Sequence, residues 1–326
     1  MRAAVYSSYG APDVVRVTDV PTPEPGPGEL LIRVHATALA SEDATFRKGS
    51  PFIARSATGF LRPNKPVLGT QFAGTVAAVG KDVDGFETGD AVFGETGPVF
   101  GAHAEYVVVP WTGPVLLLPP SMSFEEGAAL TGGELTALAF LRETAALKAG
   151  QRILIIGASG AVGSAAVQLA RHLGAHVTGV TSTGNVDMVQ ALGAHEVVDY
   201  KNRHWAQTGQ DWDVIFDTVG ASSYREAVGS LTPNGLYMTT VLGWRIVLDM
   251  LRTRFSRARR ARIAFTGLRD REDRRTDLLF VRDAVNAGAL RPVIDRTWPL
   301  SGIAEAHAHV DTGRKKGNVI ITMEVP

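Results

Sequence analysis

The sequence predicts an α/β fold in two parts, a β-rich domain and a doubly wound parallel sheet, and three observations carry that prediction. Residues 1–120 are rich in Val, Thr, Gly and Pro, with turn clusters such as PTPEPGPGE (21–29) between short apolar runs. From residue 122 strand-like and helix-like periods alternate, the pattern of βαβ units closing a parallel sheet wrapped on both faces. After a helical stretch at 276–287 the tail returns to short elements around Trp298-Pro299 and a closing strand like those of the first part. The expected division is 1–121 with 270–326 for the β-rich domain, and 122–269 for the sheet with its helices. At roughly 100–200 residues per domain, 326 residues suffice for two separate cores.

The elements follow in order. LLIRVHATAL (30–39), FAGTVAAVG (72–80) and HAEYVVVP (103–110) are strands, and the alternation in LIRVHA suits an antiparallel sheet with one wet face. EEGAALTGGELTALAFLRE (125–143) is helical in period. RILIIG (152–157) is a strand, and AVGSAAVQLARHLGA (161–175) a helix ending at Gly174. HVTGVT (176–181) is a strand, NVDMVQALGA (185–194) a helix capped at Asn185, and EVVDY (196–200) a strand. The alternation continues through DVIFDTVG (213–220), YREAVGSL (224–231), a turn at PNG (233–235), LYMTTVLG (236–243) and ARIAFTG (261–267). RPVIDRTWPL (291–300), a helix and NVIITMEV (318–325) close the chain.

Composition excludes several classes of function. The 33 basic and 33 acidic side chains cancel, so no global field recruits nucleic acid or an acidic membrane, and a small-molecule partner is expected. With no cysteine there is no disulfide, thiolate nucleophile or Cys-ligated metal. MRAAVYSSYG lacks the apolar core of a signal peptide, which points to a cytoplasmic protein. Residues 153–170 carry no charge, yet their glycines and the change from strand to helical period argue against a membrane span. The run RTRFSRARRAR (252–262) reads as a solvated helix face, since Phe255 is its sole aromatic.

The loop GASGAVG (157–163) stands between a strand and a helix, with Ala158, Gly160 and Gly163 in the slots of a dinucleotide loop and Ala in place of the first Gly. Gly160 lets backbone approach a pyrophosphate, Gly163 lets helix pack on strand, and the helix N-terminus at Ala161 and Val162 offers N–H groups to the phosphates. Two rivals stand beside this reading. One is a glycine connection used only for packing; the other is a serine hydrolase built on Gly157-Ala-Ser159-Gly-Ala, with Asp217 and His307 following in triad order. The acid that binds the ribose of NAD about 20 residues on is absent. Thr181, Ser182, Thr183, Gly184 and Asn185 offer hydroxyls and an amide instead, with Tyr200 and Lys201 just past the next strand, which favours NADP(H).

The joint order of GxxxFAGxVxxVG (69–80), GDAVFG (89–94), GAHAEY (101–106), LTAL (135–138), GASGAVG, LGAHEVVDY (192–200), FDTVG (216–220) and GNVII (317–321) resembles the medium-chain dehydrogenase/reductase superfamily, in its zinc-free quinone oxidoreductase branch. The resemblance implies a GroES-like β-rich catalytic domain, completed by the C-terminal tail, beside a Rossmann doubly wound parallel-sheet domain, with the active site in the cleft between them. It implies a homodimer, as in many relatives. Zinc-dependent relatives carry His-Glu where this chain has Thr70-Gln71, and neither Thr nor Gln is a competent zinc ligand. His307 and His309 are two apart and diverge on a helix, and His103 reads as a strand surface residue.

Without a Lewis acid, reduction of a quinone or α,β-unsaturated carbonyl (enone or enoyl) by NADPH is better suited than alcohol oxidation, because the charge moves to an oxygen that ordinary donors can hold. The segment ALASEDATFRKG (38–49) places Ala40 and Thr45 where quinone reductases resembling this chain carry Asn and Tyr, so no proton donor is assigned. Asp43, Thr45 and Gln71 are the candidates to line the site, and PFIARSATGFLRPNKP (51–66) is expected to be a mobile loop over it. By resemblance Thr136, Ser159, Gly160, Ala161, Val162, Gly163, Thr181, Ser182, Thr183, Asn185, Tyr200, Lys201, Val219, Val241 and Asn318 touch the dinucleotide. Two further alternatives remain open: an NADPH-binding protein of little turnover with a structural or RNA-binding role, and a carbonyl or alcohol oxidoreductase.

Overall fold

The computed structural model describes residues 1–256 and 258–324. In chain order the elements are β1 (Arg2–Val5), β2 (Arg16–Asp19), β3 (Glu29–Leu39), α1 (Ser41–Lys48), α2 (Arg55–Thr58), β4 (Gln71–Val79), β5 (Ala91–Glu95), β6 (Tyr106–Pro110), β7 (Val115–Leu117), α3 (Phe124–Ala129) and α4 (Gly133–Ala139). Then come β8 (Arg152–Ile156), α5 (Ala161–His172), β9 (His176–Thr181), α6 (Val186–Ala191), β10 (Glu196–Asp199), β11 (Trp212–Asp217), α7 (Tyr224–Ala227), β12 (Leu231–Thr239), α8 (Trp244–Thr253) and β13 (Arg260–Ile263). The chain closes with α9 (Arg271–Asn286), β14 (Ile294–Pro299), α10 (Ile303–Asp311) and β15 (Asn318–Thr322). Contacts divide it into two compact units, 1–132 with 267–286 and 292–326, and 133–266 with 287–291.

In the first unit β3 is the spine of a seven-stranded sheet of order β14-β15-β3-β4-β5-β7. One edge of β3 pairs with β4; along the other, Glu29–Arg33 pair with β6 and Ala36–Leu39 with β15, all antiparallel. Its alternating burial gives way to continuous burial at Ala36–Leu39, and Leu30, Ile32 and Val34 point into a core shared with Phe72, Val92 and Val107. The stretch 125–143, read as one helical period, is broken at Leu130, Thr131 and Gly132 and ends in a π-turn at Phe140–Thr144. α3 packs on β3, β4 and β5, with Gly127 so close to the sheet that a Cβ would lie 2.6 Å from Leu118 Cδ1. It therefore stays with the first unit, and the break falls after Gly132 rather than after 121.

The second unit is a six-stranded sheet of order β10-β9-β8-β11-β12-β13, in which every pair is parallel. Numbered within the unit this is 3-2-1-4-5-6, and strand order reverses between β8 and β11, where doubly wound sheets hold their ligands. The registers Ile156↔Val180 and Ile156↔Asp217 bring the loops after β8, β9 and β11 to one end of the sheet.

Two local readings are corrected. The PNG turn lies inside β12 as an irregularity, Leu231 pairing with Trp212 and Leu236 with Val214. The arginine run is not one helix face: α8 ends at Thr253, whose Oγ1 accepts from Ala261 N (3.1 Å), and β13 begins at Arg260. Arg259 is turned inward to donate to Leu231 O, while Arg257 lies outside the described residues. Among the described residues no helix is long and apolar enough to cross a membrane.

Candidate active site

The phosphate loop explains its own glycines. Gly157 takes φ +80°, the left-handed region that favours glycine, which is why the first special residue sits one place before Ala158. Ala158 is buried against Gly179, where a Cβ on the glycine would come within 3.1 Å of Ala158 Cβ, so an alanine fits that slot. Gly163 lies in the first turn of α5, and a Cβ there would sit 2.0 Å from Gly157 O. Gly160, the N-cap of α5, is open, its nearest neighbour 3.5 Å from an added Cβ. The N–H groups of Ala161, Val162 and Gly163 are the first-turn donors that have no acceptor within a helix, so open backbone and free donors meet at one point and fit a pyrophosphate.

Beside this loop lies a polar network. Ser159 Oγ accepts from Thr181 Oγ1 (2.9 Å) and Asn185 Nδ2 (3.1 Å), and Asn185 Nδ2 also reaches Ser182 Oγ at 3.3 Å. Ser159 is thus held by a hydroxyl and an amide rather than a base, and Asp217 is spent on its own turn. Its Oδ1 accepts from Val219, Gly220 and Ala221 N, and its Oδ2 from Ser222 N and Oγ. Those bonds leave the hydrolase reading without a triad. They also fix the loop after β11, where the exposed Val219 and Val241 lie on either side of Gly220.

The carboxylate missing from 181–185 arrives from elsewhere. Asp199, paired in register with Thr181, accepts from Thr183 Oγ1 at 2.7 Å, from Asn202 Nδ2 at 2.7 Å and from Lys201 N at 3.0 Å. Tyr200 and Lys201 are exposed beside it. Thr136 is half-buried on α4, which packs on α5. Asn318 belongs to the first unit, is buried, and donates its Nδ2 to Val293 O (3.3 Å).

In the first unit the stretch 69–76 opens β4, and Asp43 holds it in place. Asp43 Oδ2 accepts from Ala40 N (2.8 Å) and its Oδ1 from Gly69 N (3.1 Å), a strap between α1 and β4 closed from solvent at 1% exposure. Burial pushes the Asp43 carboxyl up to about 7, the two backbone donors pulling the other way. His103 is not a surface residue: its ring fills the space that Gly69 leaves, an added Cβ there falling 2.3 Å from His103 Cδ2. Burial pushes His103 down to about 4 and His307 to about 3, so both rings are neutral packing groups at pH 7. His309 turns away and meets Asp295 at 2.6 Å.

Thr45 spends its hydroxyl on Ser41 O (3.1 Å) along its own helix. Gln71 is 4% exposed and leaves Oε1 without a partner, its amide lying against Gly132, where a Cβ would come 2.2 Å from Nε2. Across the ladder from Gln71 stands Glu95, ion-paired to the buried Arg274 at 2.9 Å. Thr70 Oγ1 donates to Glu42 Oε1 at 3.4 Å. Sequence reasoning missed Glu42, Asp199 and Glu95, whose partners lie 28, 16 and 179 residues away. The donor set at Thr70-Gln71 does not fit zinc, and among the described residues no three His, Cys, Asp or Glu side chains gather as a metal site.

Residues 26–120 match the family model of the alcohol dehydrogenase GroES-like domain, and residues 192–321 that of the zinc-binding dehydrogenase. The chain is 30% identical to 2-methylene-furan-3-one reductase of Solanum lycopersicum, over 98% of this chain and 79% of that one. The structure of the quinone oxidoreductase from Coxiella burnetii superposes with a TM-score of 0.88 at 29% identity, covering 99% of both chains. A mycobacterial structure complexed with NADPH does so at 0.83 and 26% identity, again over 99% of both.

Proposed function

The chain belongs to the medium-chain dehydrogenase/reductase superfamily, in its quinone oxidoreductase-like branch, and from that premise we propose that it reduces quinones or α,β-unsaturated carbonyls with NADP(H) and without zinc. The observation that carries the reading is the pairing of a complete phosphate loop with the uncharged, non-ligating Thr70-Gln71. The dinucleotide, when bound, supplies a hydride. Gly160 and the first turn of α5 hold its pyrophosphate, while Ser159, Thr181 and Asn185 present a pre-bonded polar edge to the ribose. Conjugated acceptors suit such a site because their negative charge lands on an oxygen that a hydroxyl or amide donor stabilises, whereas an alkoxide needs a stronger electrophile. Turnover of a graded panel of quinones and enones with NADPH, at the same rate with and without a chelator, is the expected result. Tight NADPH binding with no acceptor reduced would favour the second reading, a dinucleotide-binding protein of little turnover.

NADP(H) is supported by the hydroxyls and amide of 181–185, by Tyr200 and Lys201 beside them, and by the NADPH complex of the mycobacterial relative. Asp199 opposes a 2′-phosphate, with Thr183 between. Asp199→Asn is therefore expected to tighten NADPH roughly fivefold, the effect of removing about 1 kcal/mol of near-surface repulsion, and not to tighten NADH. Fluorescence titration of both nucleotides measures it, and a wild-type Kd for NADH at or below that for NADPH would sink the NADP(H) assignment.

A further inference from the structure

The balanced charge of the chain conceals a local excess. Residues 244–262 hold seven arginines and one carboxylate, Asp249, which is half-buried and meets Arg252 at 3.8 Å. They span α8 and the start of β13, all within the second unit. α8 spends one face on its own sheet: Ile246 and Thr253 are buried, and Met250 packs on the core around Leu231 and Tyr237. The opposite face is apolar as well. Trp244, Val247, Leu248 and Leu251, with Phe255 one turn further, repeat at helical spacing and are all exposed, Leu251 by 61% and Phe255 by 88%. A contiguous apolar stripe turned away from its own core marks an interaction surface, since a surface helix ordinarily presents charged and polar side chains there.

The arginines say what kind of partner fits. Arg245, Arg252, Arg254 and Arg260 are exposed along the stripe, and two of them clasp its outer rings, the Arg245 guanidinium 5.3 Å from the Trp244 centroid and that of Arg254 5.4 Å from Phe255. We propose that α8 is a peripheral anchor that lies in the plane of an anionic lipid surface. Charge complementarity selects this occupant. A second copy related by a two-fold axis would lay the stripe on itself and set these arginines against their counterparts, with only Asp249 to offset them. A nucleic acid would neutralise the arginines but leave the aliphatic side chains of Val247, Leu248 and Leu251 in water. A lipid surface takes both at once, because the aliphatic side chains and rings sink below the headgroups while guanidiniums on apolar stems reach the phosphates. This attachment goes beyond the reductase reading and stands without it.

The test is co-sedimentation of the full chain with vesicles of phosphatidylcholine, with and without phosphatidylserine. Wild type is expected to bind the vesicles that contain phosphatidylserine, to release them as salt is raised, and to leave pure phosphatidylcholine unbound. Leu251→Glu should weaken binding about tenfold, having lost one buried leucine side chain and gained a repelled charge, and Arg254→Gln about fivefold. Both should keep the wild-type melting temperature and NADPH Kd, because both side chains stand in solvent. No binding to either vesicle, equal binding to both, or wild-type binding by both variants would overturn the proposal. So would a wild-type dimer that Leu251→Glu converts to a monomer in sedimentation equilibrium, which would give the stripe to a second copy. If Leu251→Glu does not fold, Phe255→Ser takes its place, and undiminished binding by that variant and by Arg254→Gln overturns the anchor while leaving the reductase standing.

Discussion

Gly163→Ala is expected to lose at least tenfold in dinucleotide affinity and roughly 1–3 kcal/mol of stability together, the range of an overpacked core. The added Cβ would lie 2.0 Å from Gly157 O and 2.8 Å from Gly157 C and Ala158 Cα, all backbone, so no side chain can swing aside. Either the first turn of α5 or the loop after β8 has to move, and both carry the phosphate donors. Gly160→Ala separates the two effects, because its Cβ meets nothing closer than 3.5 Å and should leave the melting temperature alone. It should still weaken NADPH if the pyrophosphate lies over that residue. Gly229→Ala, in open space, serves as the control for glycine replacement itself. Calorimetric titration and thermal melts read all three; equal affinity in wild type, Gly160→Ala and Gly163→Ala would mean that the phosphates bind elsewhere.

The second large effect belongs to Arg47. Its guanidinium is fully buried, donating from Nη1 to Gly10 O and from Nη2 to Asp311, both at 2.6 Å, so it ties α1 to α10 and to the loop after β1. Truncation to alanine strands a carbonyl and a carboxylate around a cavity and is expected to cost about 3–5 kcal/mol, the range for breaking a buried ion pair. Arg47→Lys should recover little, since one ammonium cannot occupy both ends of that fork. Urea denaturation measures the loss, and a change below about 1 kcal/mol would show that Asp311 finds its compensation in Lys48 alone.

Much of the fold is legible in the sequence because its signals are local. The run Ile153–Ile156 followed by Ala161 onward reads as strand, loop and helix, because a strand buried on both faces needs an unbroken apolar run and the helix that follows needs a 3.6-residue period. The dinucleotide loop is legible for the same reason. Gly160 and Gly163 answer to atoms of Gly157 and Ala158, and Gly157 to its own left-handed φ, although Val219 and Thr218 also close on it from the loop after β11.

Where the reading stopped, the physics is non-local. His103 reads as a strand surface residue, but it lies in the bend before β6, and a glycine 34 positions earlier makes room for its ring and buries it. Asp199 sits 16 residues past Thr183, and only the parallel register of β9 and β10 lays the two side by side. The arginines of 252–262 could not be divided among helix end, turn and edge strand by charge alone, because the bonds from Thr253 and Arg259 that divide them reach Ala261 and Leu231.

By itself the sequence determined the two-part α/β architecture, the position of the phosphate loop and the lack of zinc-competent residues at 70–71, each a matter of side-chain type and short-range period. The tertiary structure alone decided which polar groups meet. It made Asp43 a strap between Ala40 and Gly69, spent the Thr45 hydroxyl on its own helix, and set Glu42 against Thr70. Whether a carboxyl is a tie or a reagent depends on desolvation and on the partners that fill its lone pairs, and both are properties of the packed chain.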